Sequence, residues 1–468
     1  MSFASKLLIN GQLIAGDRTI EVLNPATWDV IAVVACASEK QAQAAVAAAK
    51  AAQPAWEALG WEARKTLLLT YADAIRERSQ ELVEVMVREQ GKPLVEAQGE
   101  VYYTEAFVRH FANLTLPVSV IQDDASGKIE VGHSALGVVV GISPWNFPAL
   151  VPIAKLAPAL LCGNTVVLKP APSTPICTLL LAEIAQPIFP AGVVNVVSDQ
   201  NDLGTFLTGH PDVAKVTFTG STATGRKIMT NSAATLKRLT LELGGNDAAV
   251  VLSDVDVAAT AQKVFDASFY NAGQACLAIK RVYVEDSIYD AFCEAMASLA
   301  ESAVIGNGLD VGTQIGPMQN AAQFEKAQYF IDVAKRDGTI IAGGTVSEGP
   351  GYFVKPTIVR DITDGSELVD QEQFSPVLPI VRIVDAEDGL ARANCSPYGL
   401  GGSVWSADAE RARALAARMQ CGTVWINQHL KFGPHIPFAG AKQSGIGVEW
   451  ADLGLAEFTQ IKVINEGY

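Results

Sequence analysis

Between about residue 134 and residue 243, short and almost wholly apolar runs alternate with helical segments of about ten residues. The succession is GVVVGI, NTVVLKP, CTLLLAEIAQ, VVNVVS, GTFLTGH, KVTFTGS, GRKIMTNSAA and LKRLTLELGG. A strand apolar on both faces must be covered on both, and the helices between such strands supply the covers. That pattern predicts parallel βαβ units in an open sheet. A second series of the same kind runs from about Asp247 to Gly440. At 468 residues the chain is too long for one core, so the expectation is an α/β protein with two or three domains.

The flanks differ. Residues 1 to about 35 read as short strands with turns (LLINGQLI, TIEVLNP, DVIAVVACAS), and Glu39 to Ala112 change to a helical period. Ser38 with Gln41 three residues on predicts a capping box at the start of that region. PVSVIQDD and KIEVGHSALGVVVGI alternate polar with apolar, and the terminal FTQIKVINEGY returns to strand character.

A net charge of −15 with no basic patch argues against nucleic acid or an anionic membrane as partner. The stretch from Leu150 to Leu168 is broken by Pro152, Lys155, Pro158, Gly163 and Asn164. It falls short of the roughly 18 to 20 apolar residues that a span needs. The N-terminus has neither the apolar run nor the cleavage site of a targeting segment. Seven scattered cysteines without a CxxC pair predict neither disulfides nor a metal site, and fit a reducing cytoplasm.

Cys276 follows the small, flexible loop NAGQ, where backbone amides can face an oxyanion in a polar, open setting. The other six (Cys36, Cys162, Cys177, Cys293, Cys395, Cys421) read as structural. Spacing alone leaves a structural role open for Cys276 as well. None of the five histidines forms a recognisable pair with it, which disfavours a Cys–His mechanism. Glu242, in the apolar strand RLTLELGG, is a candidate general base, because burial raises a carboxyl's pKa toward neutrality; a strand-end ion pair is the alternative. Gly220 to Gly225, between a strand and a helix, suit an anion, yet match neither GxGxxG nor the P-loop. Two prolines bracket Trp145-Asn146-Phe147, fixing backbone where the Asn146 amide could donate to an oxyanion; Lys169 ends a buried strand.

Taken together, SPWNFP, VVLKPAPSTP, FTGSTATGR, LELGGN, NAGQAC, QEQFSPV, YGLGGSVWS, GTVWIN and PFAGAKQSGIG resemble the aldehyde dehydrogenase superfamily from end to end. The resemblance implies Cys276 as nucleophile, Glu242 as general base, Asn146 with the Cys276 amide as oxyanion donors, and Lys155 with Glu449 as a proton relay. It implies oxidation to the acid through a thiohemiacetal and a thioester, with hydride passing to a nicotinamide. Ile142, Ser143, Pro144, Trp145, Lys169, Gly204, Gly220, Ser221, Leu243, Gln323, Lys326, Glu372 and Phe374 fall on cofactor positions. NAD is the first choice and NADP is open, because Pro172 stands where NAD-specific members place Glu. Phe147, Ala154, Phe432 and Phe438 match tunnel positions, which implies an apolar or aromatic aldehyde. His429, Lys431 and His435 lie near these positions and could add polarity; the preferred reading is solvated loop residues.

The resemblance further implies a Rossmann-type NAD(P) domain (1–115 and 134–243), a catalytic α/β domain (244–440) and oligomerisation strands (116–133 and 454–468). It implies a homodimer or homotetramer. A CoA-acylating enzyme, a hydrolase or acyltransferase using the same cysteine, and a non-catalytic relative are the rivals. Glu242 speaks against the first, the cofactor motifs against the second, and the intact Cys276, Glu242 and Asn146 against the third.

Overall fold

The structure is a computed structural model that describes residue 3 and residues 5–468. The alternating region forms a twisted sheet whose central strands are all parallel. Taken in chain order, Val138–Ile142 is flanked on one side by Thr165–Lys169 and then Val194–Val196. On its other side lie Val213–Thr219 and Arg238–Glu242. Antiparallel strands close both edges: Leu7–Ile9 with Gln12–Ile14 at one, and Gly445–Ile446 beside the Glu242 strand at the other.

The two-residue period of these strands divides the core. Val139, Val166 and Leu168 pack into one apolar layer with the helices Trp61–Glu77, Leu94–Ala112, Leu150–Leu161 and Ile176–Ala185. Val138, Val140, Ile142 and Val167 face the opposite layer, which holds Ala42, Ala45, Val46 and Ala49 of the helix Glu39–Ala58. That helix starts with the expected capping box: Ser38 Oγ accepts from the Gln41 amide, and Gln41 accepts from the Ser38 amide.

The second series builds a seven-stranded sheet, parallel apart from its edge strand Thr339–Ala342. Ala248 and Val250 face one apolar layer, and Ala249 and Val251 the other. A third, antiparallel sheet joins Ser119–Asp124, Gly127–Ala135 and the terminal strand Thr459–Gly467. Among the described residues no helix is long and apolar enough to cross a membrane.

Carboxyl ends of parallel strands are where such sheets bind ligands. Here the segments Ser143–Phe147 and Thr219–Ser221, together with Glu242, leave the first sheet at that edge. The loop carrying Cys276 meets them from the second sheet, between the helix Val257–Phe269 and the strand Ile279–Glu285.

Candidate active site

One cleft collects Asn146, Phe147, Glu242, Cys276, Phe432, Phe438 and Glu449 with Pro144, Trp145, Gly220, Ser221, Leu243, Gln323, Lys326, Glu372 and Phe374. These residues span more than 300 positions of chain, and the fold brings them to a single wall.

Cys276 owes its position to a short, strained approach. Asn271 and Ala272 have φ of 51° and 56°, and Gly273 has 73°. Two consecutive left-handed non-glycine residues cost roughly 1–2 kcal/mol each, so the surroundings must hold them. Both carboxylate oxygens of Glu96 accept from the Asn271 amide at 3.1 Å. The Asn271 side chain donates to the carbonyls of Asn146 and Gln274, each at 3.2 Å, and Gln274 is tied to Asn271, Pro317 and Gln319. Gly273 cannot be replaced, because a Cβ would lie 2.6 Å from the Ser375 carbonyl.

Asn146 is buried, and its side-chain nitrogen donates to the Gln274 carbonyl at 2.9 Å. A primary amide carries two N–H groups, so one remains for an oxygen in the cleft. Behind it stands a fully buried ion pair, Lys92–Glu100, at 2.5 Å. The Lys92 ammonium also donates to the Asn146 carbonyl at 3.0 Å and sits 4.1 Å from the centre of the Phe147 ring. Glu100 accepts from the Ala149 and Leu150 amides where the next helix begins.

The cysteine sits differently from the open, polar setting its loop suggests. Burial, with the Glu242 charge second, pushes the Cys276 thiol well above the ordinary cysteine range. Lys280 opposes this. Its buried ammonium donates to the carbonyls of Ala275, Cys276 and Ala278, clamping the loop and placing a positive charge beside the sulfur. Burial, and then the Glu449 charge, raise the Glu242 carboxyl to about 8. Its Oε1 is buried without a hydrogen-bond partner, an unmet demand that a water or a protonated thiol would satisfy. Lys155 does not reach the cleft itself. It holds Glu449, which does, at 2.6 Å, and donates to Thr219 at 2.8 Å.

The residues present fit a dinucleotide. Ser221 caps the helix Thr222–Ser232, whose N-terminus opens on the cleft and favours a diphosphate. At Gly225 a Cβ would meet Leu243 at 2.5 Å, so glycine keeps that turn close. Glu372 accepts from the Gly245 amide at 2.9 Å, and a Cβ on Gly244 would strike its other oxygen at 2.4 Å. Lys326 donates to the Glu372 carbonyl, and Phe374 packs edge-on against Trp145. Gln373 donates to the Lys280 and Val377 carbonyls and is not among the residues that line the cleft.

Several expected residues lie elsewhere. Ala154 is buried in its helix one turn beyond Leu150 and Val151, which line the cleft where Ala154 does not. Gly204 opens the short helix Gly204–Gly209 and, like Ile142, Ser143 and Lys169, is not among the residues that line this cleft. His429 is not a solvated residue. Its side chain is fully buried, its ring tilted at 45° against that of Trp425 with centroids 4.4 Å apart, and its Nε2 lies 2.8 Å from the Leu277 carbonyl. Lys431 and His435 are exposed, as expected. Cys36, Cys162, Cys177 and Cys293 are buried and Cys421 half-buried, whereas Cys395 is exposed at a helix end and fills no core.

Sequence reasoning missed Glu96, Lys92, Glu100 and Lys280, and the tunnel residues Leu150, Val151, Tyr270, Leu277, Leu430 and Trp450. The lysine in NAGQACLAIK was open to inspection, but nothing local marks it as buried.

The sequence profile of the Aldehyde dehydrogenase family matches residues 14–464. Aldehyde dehydrogenase LUC3 of a Fusarium species is 38% identical over 98% of this chain and 97% of its own length. Succinate-semialdehyde dehydrogenase [NADP(+)] GabD of Escherichia coli is 36% identical over 99% of this chain and 98% of its own. A crystal structure of betaine aldehyde dehydrogenase from Staphylococcus aureus in complex with NAD+ superposes with a TM-score of 0.97 at 30% identity, covering 99% of this chain and 95% of that one.

Proposed function

This chain belongs to the aldehyde dehydrogenase family and oxidises an aldehyde with NAD or NADP as hydride acceptor, and we propose that it does so through a covalent adduct on Cys276 that water later cleaves. The convergence of Cys276, Asn146 and the partnerless Glu242 oxygen on one cleft carries this reading.

In the proposed sequence, the Cys276 proton leaves through a water in the cleft, so that Glu242 stays free for the later hydrolytic step. The sulfur then bonds to the aldehyde carbon while the C=O π pair moves onto oxygen. The free N–H of Asn146 and the Cys276 amide hold the resulting alkoxide. Lys280, fixed on three loop carbonyls, favours the thiolate. When bound, the nicotinamide supplies the acceptor for the hydride. Glu242 then takes a proton from a water whose oxygen bonds to the thioester carbon; the C–S bond breaks, the carboxylic acid is released, and the sulfur is left as the Cys276 thiolate. Glu449, backed by Lys155 and Thr219, passes the surplus proton outward. Glu242, an ionisable base with an unpartnered oxygen in the cleft, favours hydrolysis of the thioester over its transfer to CoA.

The substrate is read as an apolar or aromatic aldehyde. Phe147 packs on Tyr270, Phe438 stacks on Trp450 at 4.6 Å, and Phe432 contacts Tyr103 at 4.9 Å. Lys92, the ammonium beside the Phe147 ring, is already paired with Glu100 and so is not free to clamp a carboxylate. We assign residues 1–115 and 134–243 to the cofactor domain and 244–440 to the catalytic domain. Residues 116–133 and 454–468 are assigned to a surface that pairs with a second copy. Val118, Val120, Ile121, Ile461, Val463 and Ile464 are apolar and exposed on those strands, which favours a dimer or a pair of dimers. Seven unpaired cysteines favour the cytoplasm.

The test is a single turnover with benzaldehyde and NAD+. Wild type and Glu242→Gln should both give a burst of reduced cofactor, but only wild type should turn over again. Equal steady-state rates in the two would remove Glu242 from the hydrolytic step, and a burst in Cys276→Ala would remove the covalent step.

A further inference from the structure

The parallel strands of the first sheet, numbered one to five in chain order from Val138–Ile142, stand in space as 3-2-1-4-5. In that winding the end of the second strand reads the adenosine ribose. A carboxylate there accepts from the 2′-hydroxyl of NAD, and a cation accommodates the 2′-phosphate of NADP. The second strand here ends in a cation, Lys169, and Pro172 brings no carboxylate after it. Taken alone, those two residues favour NADP.

The third strand reverses this. Three residues past its end, Asp199 is fully buried, and its Oδ1 lies 2.7 Å from the Lys169 ammonium, itself buried. The other oxygen, Oδ2, accepts from the Leu203 amide at 2.9 Å, so the carboxylate is fixed at both ends. Lys169 is therefore already neutralised from within the protein. A 2′-phosphate, carrying roughly −1.5 to −2 at neutral pH, would have to compete with a rigid carboxylate for one ammonium. A 2′-hydroxyl brings no charge and meets no such conflict.

Building on the aldehyde dehydrogenase reading, we propose that Asp199, through its buried pair with Lys169, is the residue that makes this chain prefer NAD over NADP. Binding without aldehyde tests it: NAD+ and NADP+ are titrated into wild type, Asp199→Asn, and Asp199→Asn combined with Lys169→Met, by calorimetry or by quenching of tryptophan fluorescence. Asparagine keeps an acceptor for the Leu203 amide, and circular dichroism checks that each variant is folded. Wild type should bind NAD+ at least about 10-fold more tightly than NADP+. Asp199→Asn should tighten NADP+ by about 10-fold while changing NAD+ by less than about 3-fold, and the added Lys169→Met should abolish that gain. If both nucleotides bind but the ratio is the same in folded Asp199→Asn, the assignment of Asp199 is overturned. It is also overturned if wild type binds NADP+ as tightly as NAD+. If folded wild type binds neither nucleotide, the cofactor reading beneath it fails instead.

Discussion

The two ends of the cleft are built on opposite principles. At the inner end, Cys276, Asn146 and Glu242 are placed by charges and amides: the Lys92–Glu100 pair, Gln274 and Lys280 each satisfy several backbone groups, and Glu96 accepts from the Asn271 amide with both oxygens. At the outer end, Phe432, Phe438, Trp450 and Tyr103 touch through ring faces and edges alone, and exposed Lys431 and His435 stand beyond. Hydrogen bonds fix direction and aromatic contacts fix only shape. The inner end is therefore suited to a transition state and the outer end to a range of substrates. Changes at the inner end should alter kcat, and changes at the outer end KM.

The largest effect falls on the sulfur. Cys276→Ala should lower kcat by about 10⁴-fold or more, since a nucleophile's loss leaves only binding and the oxyanion donors. Measurable steady-state oxidation by this variant would break the inner-end picture. Next comes Glu242→Gln, which should lower steady-state turnover by about 10²- to 10⁴-fold while the burst persists. Glu242 must be ionised to deprotonate water and its pKa is raised to about 8, so wild-type thioester hydrolysis should rise with pH through about 8. A pH-independent hydrolysis rate between 6 and 9 would contradict that.

Lys92→Met is the sharper probe, because Lys92 never touches substrate. Left alone, Glu100 would be a buried, unpaired charge costing about 3–5 kcal/mol, so Lys92→Met should unfold at lower denaturant. The double variant Lys92→Met/Glu100→Gln should regain stability, yet keep a burst rate lowered by about 10-fold with KM little changed, if Lys92 positions Asn146. Full recovery of the burst would make the pair merely structural. At the outer end, Phe432→Ala should raise KM for benzaldehyde by about 10-fold and leave kcat within a factor of about 3. An equal fall in kcat would erase the distinction between the two ends.

The smallest effect concerns stability. Burial raises Glu89 and Glu96 to about 7, and Glu242 to about 8, from an ordinary 4.5. Each holds its proton to higher pH when folded than when unfolded. The folded chain thus binds more protons between about pH 4.5 and 8, and its stability falls as pH rises through that window. Thermal melts from pH 5 to 8 should show a declining Tm, with a shallower decline in Glu242→Gln.

Much of this was legible in advance. VVVGI, and the VVL at the centre of TVVLK, are apolar on both faces and read as doubly covered parallel strands, and the capping box at Ser38 is a local signal that formed as read. Cys276, Glu242 and Asn146 sit in short segments whose glycines and prolines mark special backbone, so they stood out. His429 and Ala154 were misplaced because exposure and reach depend on neighbours far along the chain: Asp247 and Leu277 around the one, and the depth of a helix for the other.

What the sequence determined by itself was the layered α/β architecture and the identity of the reacting groups, because both follow from periodicity and from residues adjacent in the chain. Only the tertiary structure decided which charges are buried. Lys92, Glu96, Glu100, Lys280 and Asp199 are written like ordinary surface residues, and each acquires its role when folding strips its water and leaves fixed protein partners to replace it.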